Sequence, residues 1–150
     1  MTTRAVIDEF LAQRRLAVVG ASRSQHKFGN AAYRALRAAG YRVFAVNPEA
    51  SSVEGDPAYP SLEALPEPVG GVLVVVPPEK CESVVRAAEA AGIRYVWMQQ
   101  GAESDAAIAY CNVHGLRCVD HQCILMFAEP SAWFHRAHRF MRRVTGRLPH

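Results

Sequence analysis

Leu16-Ala17-Val18-Val19-Gly20 runs directly into Ala21-Ser22-Arg23-Ser24-Gln25-His26-Lys27-Phe28-Gly29-Asn30. The first five residues are a dense apolar run of strand length that ends on glycine. The next ten are mostly polar, and Ala31, Ala32, Tyr33, Leu36, Ala38 and Ala39 then follow at helical spacing, with Gly40 as the stop. Strand, polar loop and helix in this order form the opening half of a parallel crossover. The polar segment therefore sits at the carboxyl end of a strand and the amino end of a helix, where open α/β sheets place their ligands.

The same unit repeats along the chain. Tyr41 to Val46 is a second strand ending at Asn47-Pro48, and the stretch from Glu49 to Pro60 holds a minor strand, with Ser61 as a partial helix cap. Val72 to Val76 is uninterruptedly apolar and suits a central parallel strand covered on both faces. Glu79 to Ala91, Ile93 to Met98, Ser104 to Val113 and Leu116 to Val119 then alternate as helix, strand, helix and strand, with Gly40, Gly92 and Gly115 closing the helices. A short helix over Val6 to Leu11 precedes the first strand. Such alternation predicts an α/β domain of three layers with a mainly parallel sheet. The strand ends at Gly20 to Ser24, Asn47-Pro48, Val76 to Pro78, Met98 to Gly101 and Asp120 to Cys123 converge on one rim.

With 150 residues, half of them hydrophobic, the chain fits a single domain. No apolar run approaches the roughly 20 residues that span a bilayer as a helix, and the amino terminus has no secretory pattern, so a cytoplasmic protein with no membrane association is expected. Cys81, Cys111, Cys118 and Cys123 lack the dense spacing of a secreted scaffold and read as reduced. The net charge of +3 is local. Arg136, Arg139, Arg142, Arg143 and Arg147 follow Pro130 with no acidic residue among them, interleaved with Trp133, Phe134, Ala137, Phe140, Met141 and Val144. That pattern predicts an amphipathic helix from about residue 131, docked on the domain or in a homodimer, rather than a nucleic-acid surface.

The chemistry of the first loop follows from its position. Gly20 permits close ligand approach, helix amides near Phe28 favour an anion, Ser22 and Ser24 supply hydroxyl donors, and Arg23 or Lys27 supplies charge. A dinucleotide fingerprint requires Gly-x-Gly-x-x-Gly and an acidic residue after the second strand. Here Ala21-Ser22-Arg23 follows the first glycine and Asn47-Pro48 follows the strand, so an NAD(P)-binding oxidoreductase or redox sensor is the alternative. No Gly-Lys-Ser or Gly-Lys-Thr occurs, which disfavours Walker-type ATP binding.

An ordered series of segments carries more information than any one of them. Val19-Gly20-Ala21-Ser22, Lys27-Phe28-Gly29, Val46-Asn47-Pro48, Gly55 with Tyr59-Pro60-Ser61-Leu62, Val74-Val75-Val76-Pro77-Pro78, Trp97-Met98-Gln99-Gln100-Gly101 and Cys123 span about Leu11 to Phe127. Together they resemble the CoA-binding domain family, the small stand-alone relatives of the amino-terminal domain of the succinyl-CoA synthetase alpha subunit. The resemblance implies a Rossmann-like domain that binds coenzyme A or a short acyl-CoA non-covalently, for sensing, carriage or regulation. It places Ala21, Ser22, Arg23 and Ser24 on the phosphate loop that Gly20 opens, Asn47 and Pro48 after the second strand, and Val76, Pro77 and Pro78 along the groove, with Arg23 or Lys27 left to supply the charge that the synthetase takes from a lysine. Met98, Gln99 and Gln100 fall on a further CoA-facing turn, with glutamine where the synthetase has an acidic residue. Ala50 stands near the position of a synthetase lysine, and the chain has no room for the domain that bears the synthetase's phosphorylated histidine.

Two clusters offer other chemistry. Cys118, His121 and Cys123, with His114 nearby, are zinc-ligand types, but their intervals do not form a paired ribbon and no metal is expected. Asp120 adjoins His121, but adjacent strand residues tend to point to opposite faces; Cys123 with His121 as base would make a nucleophile, yet neither contact is visible in the sequence and no catalytic residue is assigned.

Overall fold

The computed structural model describes residues 2–22 and 27–128. Arg23, Ser24 and the segment expected to form a terminal helix from about residue 131 lie outside the described residues. Seven strands form one sheet: β1 (Arg15–Val19), β2 (Arg42–Val46), β3 (Ser52–Val53), β4 (Asp56–Tyr59), β5 (Gly71–Val74), β6 (Tyr95–Gln99) and β7 (Arg117–Gln122). The helices are α1 (Arg4–Leu11), α2 (Phe28–Ala38), α3 (Pro78–Ala90), α4 (Asp105–His114) and the short α5 (Leu125–Ala128).

The strand order is β3-β4-β2-β1-β5-β6-β7, and every pairing is parallel except that of β3 with β4 at one edge. Successive crossovers thus move outward from β1 in one direction through β2 and β4, then in the other through β5, β6 and β7. The switch point falls between β1 and β5, and this is the Rossmann strand order with an added edge strand.

Alternation along the strands builds two cores. Leu16, Val18, Leu73, Trp97 and Val119 face α1 and α2, where they meet Phe10, Leu11, Tyr33 and Leu36. Ala17, Val72, Val74, Val96, Met98 and Cys118 face α3 and α4, against Val85, Ala88 and Cys111. Burial on both faces explains why β5 reads as an unbroken apolar run.

Four expectations change. The stretch from Glu49 to Pro60 supplies two strands, and β4 joins the parallel sheet beside β2 through Ala45–Ala58 and Val46–Tyr59. Ser61 makes no side-chain cap bond to the short 3-10 turn at Leu62–Ala64. Cys111 and Cys118 are not reduced but form a disulfide. Gly115 adopts φ +72° at the end of α4, turning the chain so that β7 passes back under the last turn of the helix and brings the two Cα atoms within 6.5 Å. Finally, β6 and β7 slip register between Trp97–Val119 and Gln99–Gln122, leaving an extra residue on β7. His121 takes φ +59° in this bulge, so its ring meets Asp120 instead of pointing to the opposite face, with Nδ1 2.6 Å from Asp120 Oδ1.

Candidate functional site

At the carboxyl edge of the sheet a groove of about 540 Å³ is lined by Gly20, Lys27, Phe28, Gly29, Val75, Val76, Pro77, Gln99, Gln100, Gly101, Ala102 and Cys123. Its floor is backbone. Gly20 has φ +126°, and a Cβ built there would lie 1.9 Å from the Val75 carbonyl oxygen. Val75 N–H in turn donates to Val19 O at 2.8 Å, so the exits of β1 and β5 touch before they diverge to opposite faces. Gly29 presses the first turn of α2 on the same point, since a Cβ there would lie 2.7 Å from Gly20 O. Only glycine permits this packing at either position.

The helices that border the groove differ from those that do not. Thr3 caps α1 by accepting from Val6 N–H, and Ser104 caps α4 by accepting from Ala107 N–H. By contrast α2 begins after Lys27 and α3 after Pro77 with no side-chain cap bond. Asn30 N–H turns back to Lys27 O at 3.1 Å, and no side chain caps the amides before it, so the start of α2 presents a helix amino end beside Lys27, the kind of place that favours an anion.

Behind this end, a polar network fixes the first loop. Asn30 is fully buried. Its Oδ1 accepts from Ser22 N–H at 2.8 Å, and its Nδ2 donates to Ser22 O at 2.6 Å and to Glu54 Oε2 at 2.9 Å. Ser22 N–H is thus committed to Asn30. Glu54, at φ +53° in the β3–β4 turn, is also paired with Arg34 at 3.0 Å. The Asn30 hydrogen bond and the Arg34 guanidinium hold its carboxyl below the usual range. Next to it Asp56 accepts from Tyr33 Oη at 2.7 Å and Arg37 at 2.8 Å, which likewise lowers its pKa, while burial raises that of Tyr33.

At the far end, Gln99 Oε1 accepts from Ile124 N–H at 2.9 Å. Glu103 closes the turn by accepting from Gly101 N–H and lies 3.7 Å from His121 Nε2. Asp120, hydrogen-bonded to Nδ1, and then Glu103 raise the pKa of the exposed His121 imidazole. Of the two free thiols, Cys81 is buried and pushed up to about 11 by desolvation, whereas Cys123 lines the groove. With Cys118 bonded to Cys111, its sulfur is not a metal ligand, and no group of three His, Cys, Asp or Glu suited to a metal ion occurs among the described residues.

The structure brings Gly20, Lys27, Val76, Pro77, Gln99 and Gln100 of the expected site to the groove. Ala21 and Ser22 stand behind it in the loop. Asn47 holds that loop through Nδ2 to Ala21 O at 3.0 Å, with Pro48 exposed beyond it. Pro78 is the first residue of α3, and Met98 is fully buried in the α3/α4 core. Phe28, Gly29, Val75, Gly101, Ala102 and Cys123 complete the lining, and for the first five the sequence signal was their closeness to expected residues. Asn30 carried none beyond its place in the Lys27-Phe28-Gly29-Asn30 run.

A doubly wound sheet with a glycine-floored groove at its switch point and an uncapped helix beside a lysine defines a nucleotide-binding α/β domain. Residues 14–129 match the family model described as CoA binding domain, and the chain belongs to that family. It binds CoA or an acyl-CoA non-covalently. A 62-residue stretch, 41% of the chain, is 42% identical to an ADP-forming acetate–CoA ligase of Archaeoglobus fulgidus, and the match covers only 9% of that ligase. A conserved hypothetical protein from Pyrococcus furiosus superposes with TM-score 0.72 at 34% identity, covering 75% of this chain and 97% of that one. A hypothetical protein from Pyrococcus horikoshii gives 0.78 at 27% identity over 84% and 89%. The dinucleotide forming acetyl-coenzyme A synthetase 1 of Ca. Korarchaeum cryptofilum, in complex with phosphate and ADP, gives 0.62 at 26% identity over 70% of this chain and 25% of its own.

Proposed function

We propose that the protein holds CoA or a short acyl-CoA in order to carry, sense or regulate it, without transforming it. The ligand's phosphates lie against the Gly20–Lys27 loop and the amino end of α2, and its remaining length follows the groove toward β6. The observation that supports this most is the groove itself: glycine floor, uncapped α2 and Lys27 meet at the switch point of the sheet. The ligase and synthetase relatives are several times longer than the matched region, and nucleotide-driven acyl-CoA synthesis needs acyl activation and phosphoryl transfer beyond one cofactor groove. Native mass spectrometry of protein purified without added ligand tests the reading. Retained CoA is expected, whereas retained NAD(P) would replace it with the oxidoreductase alternative.

Cytoplasmic residence and a two-fold dimer through the segment after Pro130 belong to the same proposal. The support for assembly is the helical spacing of Trp133, Phe134, Phe140 and Met141 in the sequence. Among the described residues no helix is long and apolar enough to cross a membrane. Sedimentation of the full chain and of a version ending near Ala128 separates the cases: a dimer that becomes a monomer on truncation is expected, and a monomeric full chain at micromolar concentration rejects assembly.

A further inference from the structure

Among the described residues two polar side chains are buried, Asn30 and Gln99. The first is satisfied at both ends of its amide by Ser22 and Glu54. Gln99, 5% exposed, is satisfied at one. Its Oε1 accepts from the Ile124 main-chain N–H, and because that group only donates, the contact fixes which end of the amide is oxygen. Nε2 has no acceptor among the described residues. A buried amino group without a partner is unfavourable and uncommon, so its acceptor is to be sought in what enters the groove that Gln99 lines.

The surroundings restrict that acceptor. Val75, Val76, Pro77, Ala102 and Cys123 supply no cation at this end. Glu103 puts a carboxylate on the outer side of the turn by accepting from Gly101 N–H, which disfavours a second anion. The turn's main-chain donors are already used: Gln100 N–H bonds Gln122 O, Ala102 N–H bonds Gln99 O, and Gly101 N–H bonds Glu103. We propose that Gln99 Nε2 donates to a neutral carbonyl on the sulfur-bearing arm of the bound ligand, making the β6–β7 end of the groove the subsite for that arm. This rests on the CoA reading above. The arm of CoA carries two amide carbonyls, and an acyl group adds a thioester carbonyl; all are uncharged acceptors.

Gln99→Glu keeps an oxygen for Ile124 N–H while removing the donor, and Gln99→Met removes the donor without adding charge. Calorimetry on the full chain compares CoA, acetyl-CoA, S-ethyl-CoA, which has no thioester carbonyl, and adenosine 3′,5′-bisphosphate, which has no arm. Both variants should weaken acetyl-CoA about tenfold, the scale of one lost buried hydrogen bond, and leave the bisphosphate unchanged. An equal loss for CoA and S-ethyl-CoA assigns the contact to an arm amide, and a loss confined to acetyl-CoA assigns it to the thioester. Unchanged affinity for both CoA and acetyl-CoA, or an equal loss for the bisphosphate, overturns the subsite. A second measurement needs no variant: in the wild-type protein the Gln99 side-chain amide protons should shift with CoA or acetyl-CoA and not with the bisphosphate, and their failure to shift also overturns it. A wild-type protein that binds neither CoA nor acetyl-CoA defeats the reading of the groove instead.

Discussion

The two ends of the groove are held by different forces. At the β1 end the ligand loop is tied by a polar web, Ser22 to Asn30 to Glu54 to Arg34, that reaches the β3–β4 hairpin. At the β6–β7 end the scaffold is held by packing, with Trp97 edge-on to Phe10 and Phe127 and its Nε1–H bonded to Gln122 O, while a covalent bond between Cys111 and Cys118 ties α4 to the start of β7. Hydrogen bonds fix orientation and depend on every partner, whereas a disulfide and aromatic packing fix position and tolerate polar change nearby. The first end is thus built to aim donors. The second is built to stay in place.

Breaking the floor where the two ends meet should have the largest effect. Gly20→Ala forces an L-residue into φ +126° and a methyl group into the Val75 carbonyl, so a loss of about 2–5 kcal/mol in urea unfolding and of measurable CoA binding is expected. Next is the covalent tie. Replacing Cys111 and Cys118 together by alanine should cost about 2.5 kcal/mol, the scale of closing so short a loop, with CoA affinity retained because neither residue lines the groove. Asn30→Ala inverts that pattern. It should cost about 1–3 kcal/mol for the groups left unpaired, and it should also weaken CoA, because Ser22 loses its support. Equal effects of the cysteine and Asn30 variants on affinity would erase the proposed division.

The smallest effect is one of pH. Asp120 and Glu103 raise the His121 pKa, so this contribution to stability is complete below the ordinary histidine value near 6.5 and fades as pH rises through the higher folded value. His121→Asn should flatten the stability profile across that window. NMR titration of the ring, before and after Asp120→Asn, checks the cause: the substitution should bring the pKa down.

What was legible in the sequence is what local residues decide. Apolar runs marked β1, β2, β5, β6 and β7, and Gly40, Gly92 and Gly115, all at positive φ, marked the turns after three helices. Gly20 and Lys27 stood out because a loop between strand and helix has few places to put a ligand. The rest depends on distant partners. Asp56-Pro57-Ala58-Tyr59 has no strand-like alternation and becomes β4 because β2 offers it a free edge. Asn30 resembles an ordinary first-turn residue until Ser22 and Glu54 arrive on either side of it. Cys118 lies seven positions after Cys111, and only the reversal at Gly115 brings their sulfurs together. The meeting of Asp120 with His121 required a bulge, which the two-residue period of a strand conceals.

The fate of the four sulfurs gives the molecule a built-in reporter. Two are consumed in the disulfide, and a third, Cys81, is fully buried with its thiol pushed to about 11, so almost none of it is thiolate at neutral pH. That leaves Cys123, partly accessible in the wall of the groove. An alkylating reagent applied to the folded protein has one cysteine within reach, and under the proposed placement of the ligand the rate at which it adds a single mass increment should fall as CoA fills the groove.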